Sequence, residues 1–345
     1  MHAVWFVVLA LMLTAYAVLD GFDFGAGIAH LFVARTDEER RTVLAAIGPL
    51  WDGNEVWLIA SGGVLVFAFP RAYAAAFSGL YLSLMLVLWL LIVRGVSIEF
   101  RSKVDHPLWH AAWDVAFAGS SAAMAVVLGV ALGNVVRGVP LDASGYFEED
   151  LFSARDAAHR GAIDAYTAAF GAFALSALGA HGATFLGWKT SGPLGERSRA
   201  LARRLWIAAL ALLVLATVLT AAWQPAFFGR VRARPWLWPL PVLGLAAAAL
   251  AFQALSTGRE LRAFLASCTF LATLLLATAG ALYPVILGST VDAAFSLDVD
   301  NAASDRAGLS IGFAIWAPAI ALAIGYFVYL FRSFRGKAEG TGHHS

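Results

Sequence analysis

Long and nearly unbroken apolar segments recur along the chain, and short polar segments separate them. A helix needs about 20 predominantly apolar residues to cross a membrane. The segments that reach or approach this length are 3–33, 46–69, 74–98, 112–136, 163–187, 202–222, 236–255, 263–285 and 309–331. The pattern therefore predicts an all-α polytopic membrane protein with about nine transmembrane helices.

The composition supports a membrane protein and excludes several other classes. Of the 345 residues, 60% are hydrophobic and 14% are charged, whereas a soluble domain is about 45–50% apolar and about 25% charged. A soluble enzyme and a nucleic-acid binder are therefore excluded. The net charge of +1 favours no charged partner, and the single cysteine, Cys268, cannot form a disulfide framework.

The orientation follows from the distribution of Lys and Arg, which are enriched in inner loops. With the N-terminus outside, the inner loops carry twice as many of these residues as the outer loops. The sequence predicts an N-out, C-in topology in a bacterial cytoplasmic (inner) membrane.

A weak internal repeat suggests how the spans are grouped. The first and fifth spans both end in a segment of glycine, alanine and histidine, followed by a Glu-Arg pair and a tryptophan. The repeat favours two four-helix bundles plus one peripheral helix, although chance similarity between inner loops would give the same pattern. The predicted parts are a first bundle (1–136), an outer loop (137–162), a second bundle (163–285), an outer loop (286–308), a ninth helix (309–335) and a flexible tail (336–345).

Ionisable residues inside the predicted spans are few and unevenly placed. Asp20 and Asp23 lie in the first span, Asp52 and Glu55 in the second, and Asp114 early in the fourth. Each costs about 2.5–3.5 kcal/mol on insertion scales, so each is a functional candidate by default. All five fall in the inner half of the membrane, and the last four spans contain no acidic residue. The first bundle is therefore the chemically active one.

The spacing of these acids suggests a proton entry route. The segments 20–23 and 52–55 both have the form acid-Gly-x-acid, which places two carboxyl groups on one helix face. Arg94 and Arg101 flank Glu99 at the inner end of the third span and could supply counter-charge. Asp23, Glu55, Arg94, Glu99 and Asp114 would form a supporting polar cluster. The alternative is a structural cluster whose polar groups satisfy one another between helices.

Haem and metal binding by this chain alone are not expected. Of the eight histidines, His181 is the one clearly within a span, and His30 lies near an inner end. A bis-histidine haem site needs facing histidines, so His181 is interpreted as a helix-packing hydrogen-bonding residue. Trp51 and Trp57 flank Asp52 and are interpreted as packing residues, with a nearby quinone ring as the alternative.

Two motifs carry a resemblance to a known family. The segments 19–25 (LDGFDFG) and 48–58 (GPLWDGNEVWL) resemble the signatures of subunit II of the cytochrome bd-type quinol oxidases. Matches continue through 94–101 (RGVSIEFR) to Tyr283-Pro284, so the resemblance covers roughly residues 1–331. The loops at 140–160 and 225–235 depart from the family pattern.

The resemblance implies a complex that oxidises quinol and reduces O2 to water. Haems b and d would be bound by subunit I, and subunit II would share the fold of that partner and supply part of a cytoplasmic proton route. Asp20 and Asp52 match the family's proton-route acids, with Arg101 as a charge partner. The complex would contain lipids and, in some members, a structural quinone or small accessory membrane subunits, and the isolated chain would not be catalytic.

A self-contained proton-coupled membrane transporter is the competing class. It would use the same carboxylates but would work without a partner. Alternating access builds a site from both halves of a transporter, whereas the acids here are confined to the first half. A haem-binding cytochrome b is a second alternative, and the small number of histidines inside the spans disfavours it.

Overall fold

The computed structural model describes residues 1–148, 150–152 and 159–338. It is mainly helical, and the predicted all-α membrane class is confirmed. Its helices are α1 (His2–Val33), α2 (Asp37–Ile47), α3 (Trp51–Ala68), α4 (Pro70–Gly79), α5 (Tyr81–Phe100), α6 (Pro107–Arg137), α7 (Ala165–Lys189), α8 (Gly192–Trp223), α9 (Pro225–Arg232), α10 (Pro239–Ser256), α11 (Glu260–Leu282) and α12 (Arg306–Ser333). Two short strands, β1 (Val285–Leu287) and β2 (Leu297–Asp298), pair antiparallel.

Among the described residues, eight helices are long and apolar enough to cross a membrane. They are α1, α5, α6, α7, α8, α10, α11 and α12. The predicted second span corresponds to α3, which has 18 residues and includes Asp52 and Glu55. These acids lower the mean hydropathy of α3, so the count of nine spans remains a prediction. The orientation of the spans also remains a prediction.

A separate helix precedes α3 because the local sequence caps it. The Thr36 side chain accepts from the backbone of Glu39, and the Glu39 side chain accepts from the backbone of Thr36. This reciprocal capping box satisfies amides that have no partner inside the helix. The predicted span at 46–69 is therefore divided into the end of α2 and all of α3.

The predicted third span is divided by a similar local signal. Pro70 occupies the first turn of α4, where its missing amide hydrogen costs nothing. A turn at Leu80 separates α4 from α5. The apolar segment beginning near residue 74 is therefore a short helix followed by a long one.

Helix α1 lies at the centre of the fold and packs against α3, α6, α7 and α11. All residues from 20 to 30 of this helix are buried. At its crossing with α7, Gly25 faces Gly182, and a Cβ on either residue would overlap the backbone of the other helix. The two glycines therefore permit a backbone-to-backbone approach that other residues would prevent.

The remaining helices surround this centre. Helix α7 also packs against α6, α8 and α11, and α10 packs against α11. Of α12, only Leu309 and Leu330 are buried among the described residues. The peripheral position of α12 agrees with the predicted ninth helix, while the division into two bundles remains a prediction.

The two predicted outer loops contact each other. The Val139 amide donates to the carbonyl of Gly288 at 2.9 Å, and the Ser289 hydroxyl donates to the carbonyl of Leu141 at 2.6 Å. Glu149 and residues 153–158 of the first loop lie outside the described residues. The small β1–β2 sheet is the local structure of the second loop.

The predicted flexible tail begins with residues that contact the helices. The Ala338 amide donates to the carbonyl of Lys189 at 2.6 Å, and Lys337 pairs with Glu260. These contacts fasten the segment after α12 to the ends of α7 and α11. Residues 339–345 of the predicted tail lie outside the described residues.

Candidate functional site

The first group of buried charges, called the membrane cluster, consists of Asp20, Asp23, Asn54, Glu55 and Arg94. Arg94 of α5 donates from Nη1 to Oδ1 of Asp20 at 2.7 Å and from Nη2 to Glu55. Its guanidinium carbon also lies 4.2 Å from the centre of the Phe24 ring. Both Arg94 and Asp20 are 0% exposed, so this ion pair is fully removed from solvent.

Asp23 extends the membrane cluster along α1. Its Oδ2 accepts from Nδ2 of Asn54 at 2.7 Å, and this amide also lies 3.3 Å from the carbonyl of Leu19. The cluster thus presents three carboxyl groups to one guanidinium. Because one cation compensates only one full charge in a low dielectric, the cluster holds more carboxyl groups than its single guanidinium can neutralise.

The second group, called the inner cluster, consists of His30, Asp37, Arg40, Arg101 and Asp114. Asp114 of α6 accepts from Nε2 of His30 at 2.6 Å, from Nη1 of Arg40 at 2.7 Å and from Nε of Arg101 at 2.6 Å. Arg101 also donates from Nη2 to Asp37 at 2.7 Å. Four helix segments are joined in this way at the end of α1.

Asp37 connects the inner cluster to the protein surface, since its side chain is 43% exposed. Partial burial raises the pKa of Asp37, but the hydrogen bond and the charge of Arg101 lower it more, and the net shift is downward. Nδ1 of His110 lies 3.4 Å from the same carboxylate. Asp37 is therefore an ionised group at the predicted inner surface, next to two cationic or titratable side chains.

The two clusters are related by helix geometry. Helix α1 contributes Asp23 to one and His30 to the other, and α5 contributes Arg94 and Arg101 in the same way. Each pair is separated by seven residues, which is two helical turns on one face and about 10.5 Å along the axis. The clusters are therefore consecutive levels of one polar column.

The structure brings together most of the residues that the sequence singled out. Asp20, Asp23, Glu55 and Arg94 meet in the membrane cluster, and Arg101 and Asp114 meet in the inner cluster. Asp52 and Glu99 are exposed, and neither has an ion pair or hydrogen bond within the described part of the chain. Asp52 thus lies outside both clusters, although it is one turn from Glu55.

The remaining sequence candidates make packing contacts. Trp51 packs against Gly95 of α5, and Trp57 packs against Phe327 of α12 with ring centres 5.5 Å apart. His181 lies within hydrogen-bond distance of two atoms, the Ser267 hydroxyl at 2.7 Å and the Val18 carbonyl at 2.9 Å.

Several members of the two clusters were not candidates from the sequence. Asn54 lies within the second signature, and Asp37 and Arg40 lie between the first two predicted spans. His30 was placed near a span end without a partner. Asp23 and His30 are seven residues apart, and so are Arg94 and Arg101. This shared spacing is the sequence signal that could have predicted the inner cluster.

A metal site is not apparent in the described ranges 1–148, 150–152 and 159–338. They contain no group of three or more His, Cys, Asp or Glu side chains that could hold a metal ion. The charged groups instead neutralise one another across helices.

Taken together, the fold and the two clusters define a polytopic helical membrane subunit with a column of ion pairs in its first half. The family model for cytochrome bd terminal oxidase subunit II matches residues 1–334. The chain belongs to this family, which confirms the resemblance seen in the sequence.

Curated relatives agree with this membership. The chain is 31% identical over 338 residues to cytochrome bd-I ubiquinol oxidase subunit 2 of Escherichia coli (strain K12), covering 89% of this chain and 87% of the relative. It is 31% identical over 339 residues to cytochrome bd ubiquinol oxidase subunit 2 of Bacillus subtilis (strain 168), covering 98% and 97%. These relatives are subunits of an oxidoreductase complex.

A solved structure supports the fold. A chain of the bd oxidase from Geobacillus thermodenitrificans matches with a TM-score of 0.77 and 17% sequence identity, over 96% of this chain and 98% of that chain. The helical arrangement is therefore that of a bd oxidase subunit.

Proposed function

We propose that this chain packs against the haem-bearing subunit I of a cytochrome bd-type quinol oxidase and carries protons towards it from the cytoplasmic side. The complex would oxidise quinol and reduce O2 to water in a bacterial inner membrane. The main support for this proposal is the polar column that runs from Asp37 at the surface to Asp20 in the buried core of the fold.

The column provides the groups that a proton supply needs. Reduction of O2 to water consumes protons as well as electrons, and protons cross an apolar region only along polar groups. The inner cluster offers Asp37 near the surface, and His110 lies beside it. The membrane cluster offers three carboxyl groups against one arginine, so a proton arriving there can be held and released.

The exposed position of Asp52 supports an interface with the partner subunit on this face of α3. Its neighbours along the helix, Val56 and Ile59, are 54% and 74% exposed. A carboxyl group facing lipid in the membrane is costly, and such groups face a protein interior or a water-filled cavity. Subunit I would cover this face, and Asp52 would pass protons onward from the neighbouring Glu55.

The two histidines that lie within or near the predicted spans, His181 and His30, do not fit haem ligation. Nitrogen atoms of His181 are engaged by Ser267 and Val18, and Nε2 of His30 is engaged by Asp114. No second histidine faces either of them in the described ranges. Haems b and d, which supply the electron transfer and O2 chemistry, are therefore assigned to the partner subunit.

Replacing Asp52 by asparagine should slow quinol-dependent O2 uptake by about tenfold or more, which corresponds to about 1.4 kcal/mol in the barrier. The amide keeps the size of the side chain but cannot carry a proton. The measurement is O2 uptake by the purified complex, with haem content as the test of assembly. Asp105→Asn, at an exposed acid between α5 and α6 and outside both clusters, is the matched control.

Unchanged turnover of the correctly assembled Asp52→Asn enzyme would contradict the proton route. Loss of all haem signal would instead assign Asp52 a structural role at the interface.

A tagged chain extracted from native membranes should bring with it a second membrane subunit. A reduced-minus-oxidised spectrum of this material should show b-type and d-type haem bands, because the partner holds both haems. A colourless chain that purifies alone would contradict the proposal and favour the self-contained transporter.

A further inference from the structure

Two helices, α1 and α6, face each other in the space between the two clusters. On α1, Gly27 lies between Asp23 and His30 on one face. Opposite it on α6, seven residues from Asp114, lies Ser121. A Cβ at Gly27 would overlap the Ser121 side chain, so the serine hydroxyl rests directly against the backbone of α1. Glycine at this position is what allows a polar atom between the clusters.

Ser121 stands midway between the two clusters along α1. Its level is that of Gly27, which is four residues from Asp23 and three from His30, or about 6 Å and about 4.5 Å along the axis. A single water molecule bridges polar atoms about 5.5 Å apart, because each hydrogen bond spans about 2.8 Å. Ser121 thus divides the axial distance between the levels of Asp23 and His30 into two shorter steps, each of which water could help to bridge.

Three buried atoms along this stripe have no protein partner within the described residues. They are Nδ1 of His30, Oγ of Ser121 and Oδ1 of Asp23. The three residues are 0%, 0% and 1% exposed. Buried polar atoms are normally satisfied, by ordered water where protein atoms do not reach them. The three atoms therefore mark a polar stripe that leads from the inner cluster to the membrane cluster.

The contacts of His30 leave one nitrogen for proton exchange. Asp114 accepts from two arginines and from Nε2 of His30, so its carboxylate is the acceptor and Nε2 carries the hydrogen. Nδ1 then carries the lone pair that can accept a proton, while Asp114, which also pairs with two arginines, holds the ring through its other nitrogen. The Phe117 ring, whose centre lies 5.4 Å from that of His30, covers the imidazole on one side.

We propose that His30 and Ser121 form the link that passes protons from the inner cluster to Asp23 and Asp20. A proton bound at Nδ1 of His30 moves to the Ser121 hydroxyl through water, the hydroxyl releases its own hydrogen, and the carboxylate of Asp23 takes up one proton. The net result is transfer of one proton, with His30 returned to neutral. This link rests on the proposed function and adds two proton-transfer residues to it.

The test compares neighbouring serines of α6 in the complete oxidase complex. Ser121→Ala removes the hydroxyl from the stripe, whereas Ser120→Ala removes a hydroxyl that donates to the carbonyl of Ala116 at 2.7 Å. His30→Gln keeps a donor for Asp114 but cannot exchange a proton. The readouts are quinol-dependent O2 uptake and the ratio of its rates in H2O and D2O.

Ser121→Ala and His30→Gln should each slow turnover about tenfold, an increase of about 1.4 kcal/mol in the barrier, and should raise the H2O/D2O ratio. Ser120→Ala should change neither. A slower enzyme with an unchanged isotope ratio would assign the pair a structural role and overturn the link. If Ser121→Ala does not assemble, His30→Gln decides by the same two readouts.

The outcomes also separate this link from the proposed function. Slow Asp52→Asn enzyme together with normal Ser121→Ala and His30→Gln enzymes would overturn the link alone. Normal turnover in all three variants would overturn the proton route itself.

Discussion

Replacement of Arg94 by glutamine should prevent stable assembly of the protein. The guanidinium is fully buried and pairs with Asp20 and Glu55. Removing one partner of a buried ion pair costs about 3–5 kcal/mol, because the remaining charge is left uncompensated in a low dielectric. Here two carboxyl groups lose the same cation, and the loss is comparable to the total stability of many domains. The measurement is the yield and thermal midpoint of the complex extracted from membranes.

Two controls distinguish charge compensation from other effects of the Arg94 substitution. Arg204→Gln changes an exposed arginine of α8 that has no ion pair within the described residues, and it should leave yield and midpoint unchanged. Adding Asp20→Asn and Glu55→Gln to Arg94→Gln should restore much of the stability, because the two carboxyl groups that paired with Arg94 are then neutral amides. A singly substituted protein as stable as the parent would show that the ion pair contributes little.

Replacement of Gly25 by alanine should separate α1 from α7 and lower stability by about 1–3 kcal/mol or more, the usual cost of overpacking. The added Cβ would overlap backbone atoms of Leu178 and Gly182. Backbone atoms cannot rotate away as a side chain can, so a whole helix must move. Since α1 carries parts of both charge clusters, the shift should also disturb Asp20 and His30.

Gly62→Ala is the matched control for the Gly25 substitution. Gly62 lies on α3, and a Cβ there meets no atom within 4 Å. Its midpoint should stay the same or rise slightly, because alanine favours a helix over glycine by about 1 kcal/mol. Equal midpoints for the two variants would mean that the α1–α7 crossing can relax without cost.

The fold was largely predictable because membrane helices leave a strong local signal. The first predicted span, 3–33, corresponds to α1 at His2–Val33, since nearly the whole segment is apolar. The divisions at α2 and α4 were missed. They depend on a capping box at Thr36 and a proline at position 70, which are weaker signals than the apolar runs around them.

The site was predictable in its residues but not in its pairings. Asp20 and Arg94 were both candidates, yet they are 74 positions apart, and spacing within one helix cannot show which helices become neighbours. Asp52 illustrates the same limit. The spacing rule placed it with Glu55, but the structure leaves it on an exposed face because no described helix covers that side of α3.

The long separation between Asp20 and Arg94 has a consequence for biosynthesis. During translation α1 leaves the ribosome well before α5, so its two carboxyl groups reach the bilayer without their arginine. Each would cost about 2.5–3.5 kcal/mol in lipid. The insertion machinery must therefore retain α1 in a protein-lined compartment, or admit it with protonated acids, until about 70 further residues have been synthesised. The ion pair between Asp20 and Arg94 can form only once α5 has joined α1, so the charge of Asp20 is compensated late in the synthesis of the first half of the chain.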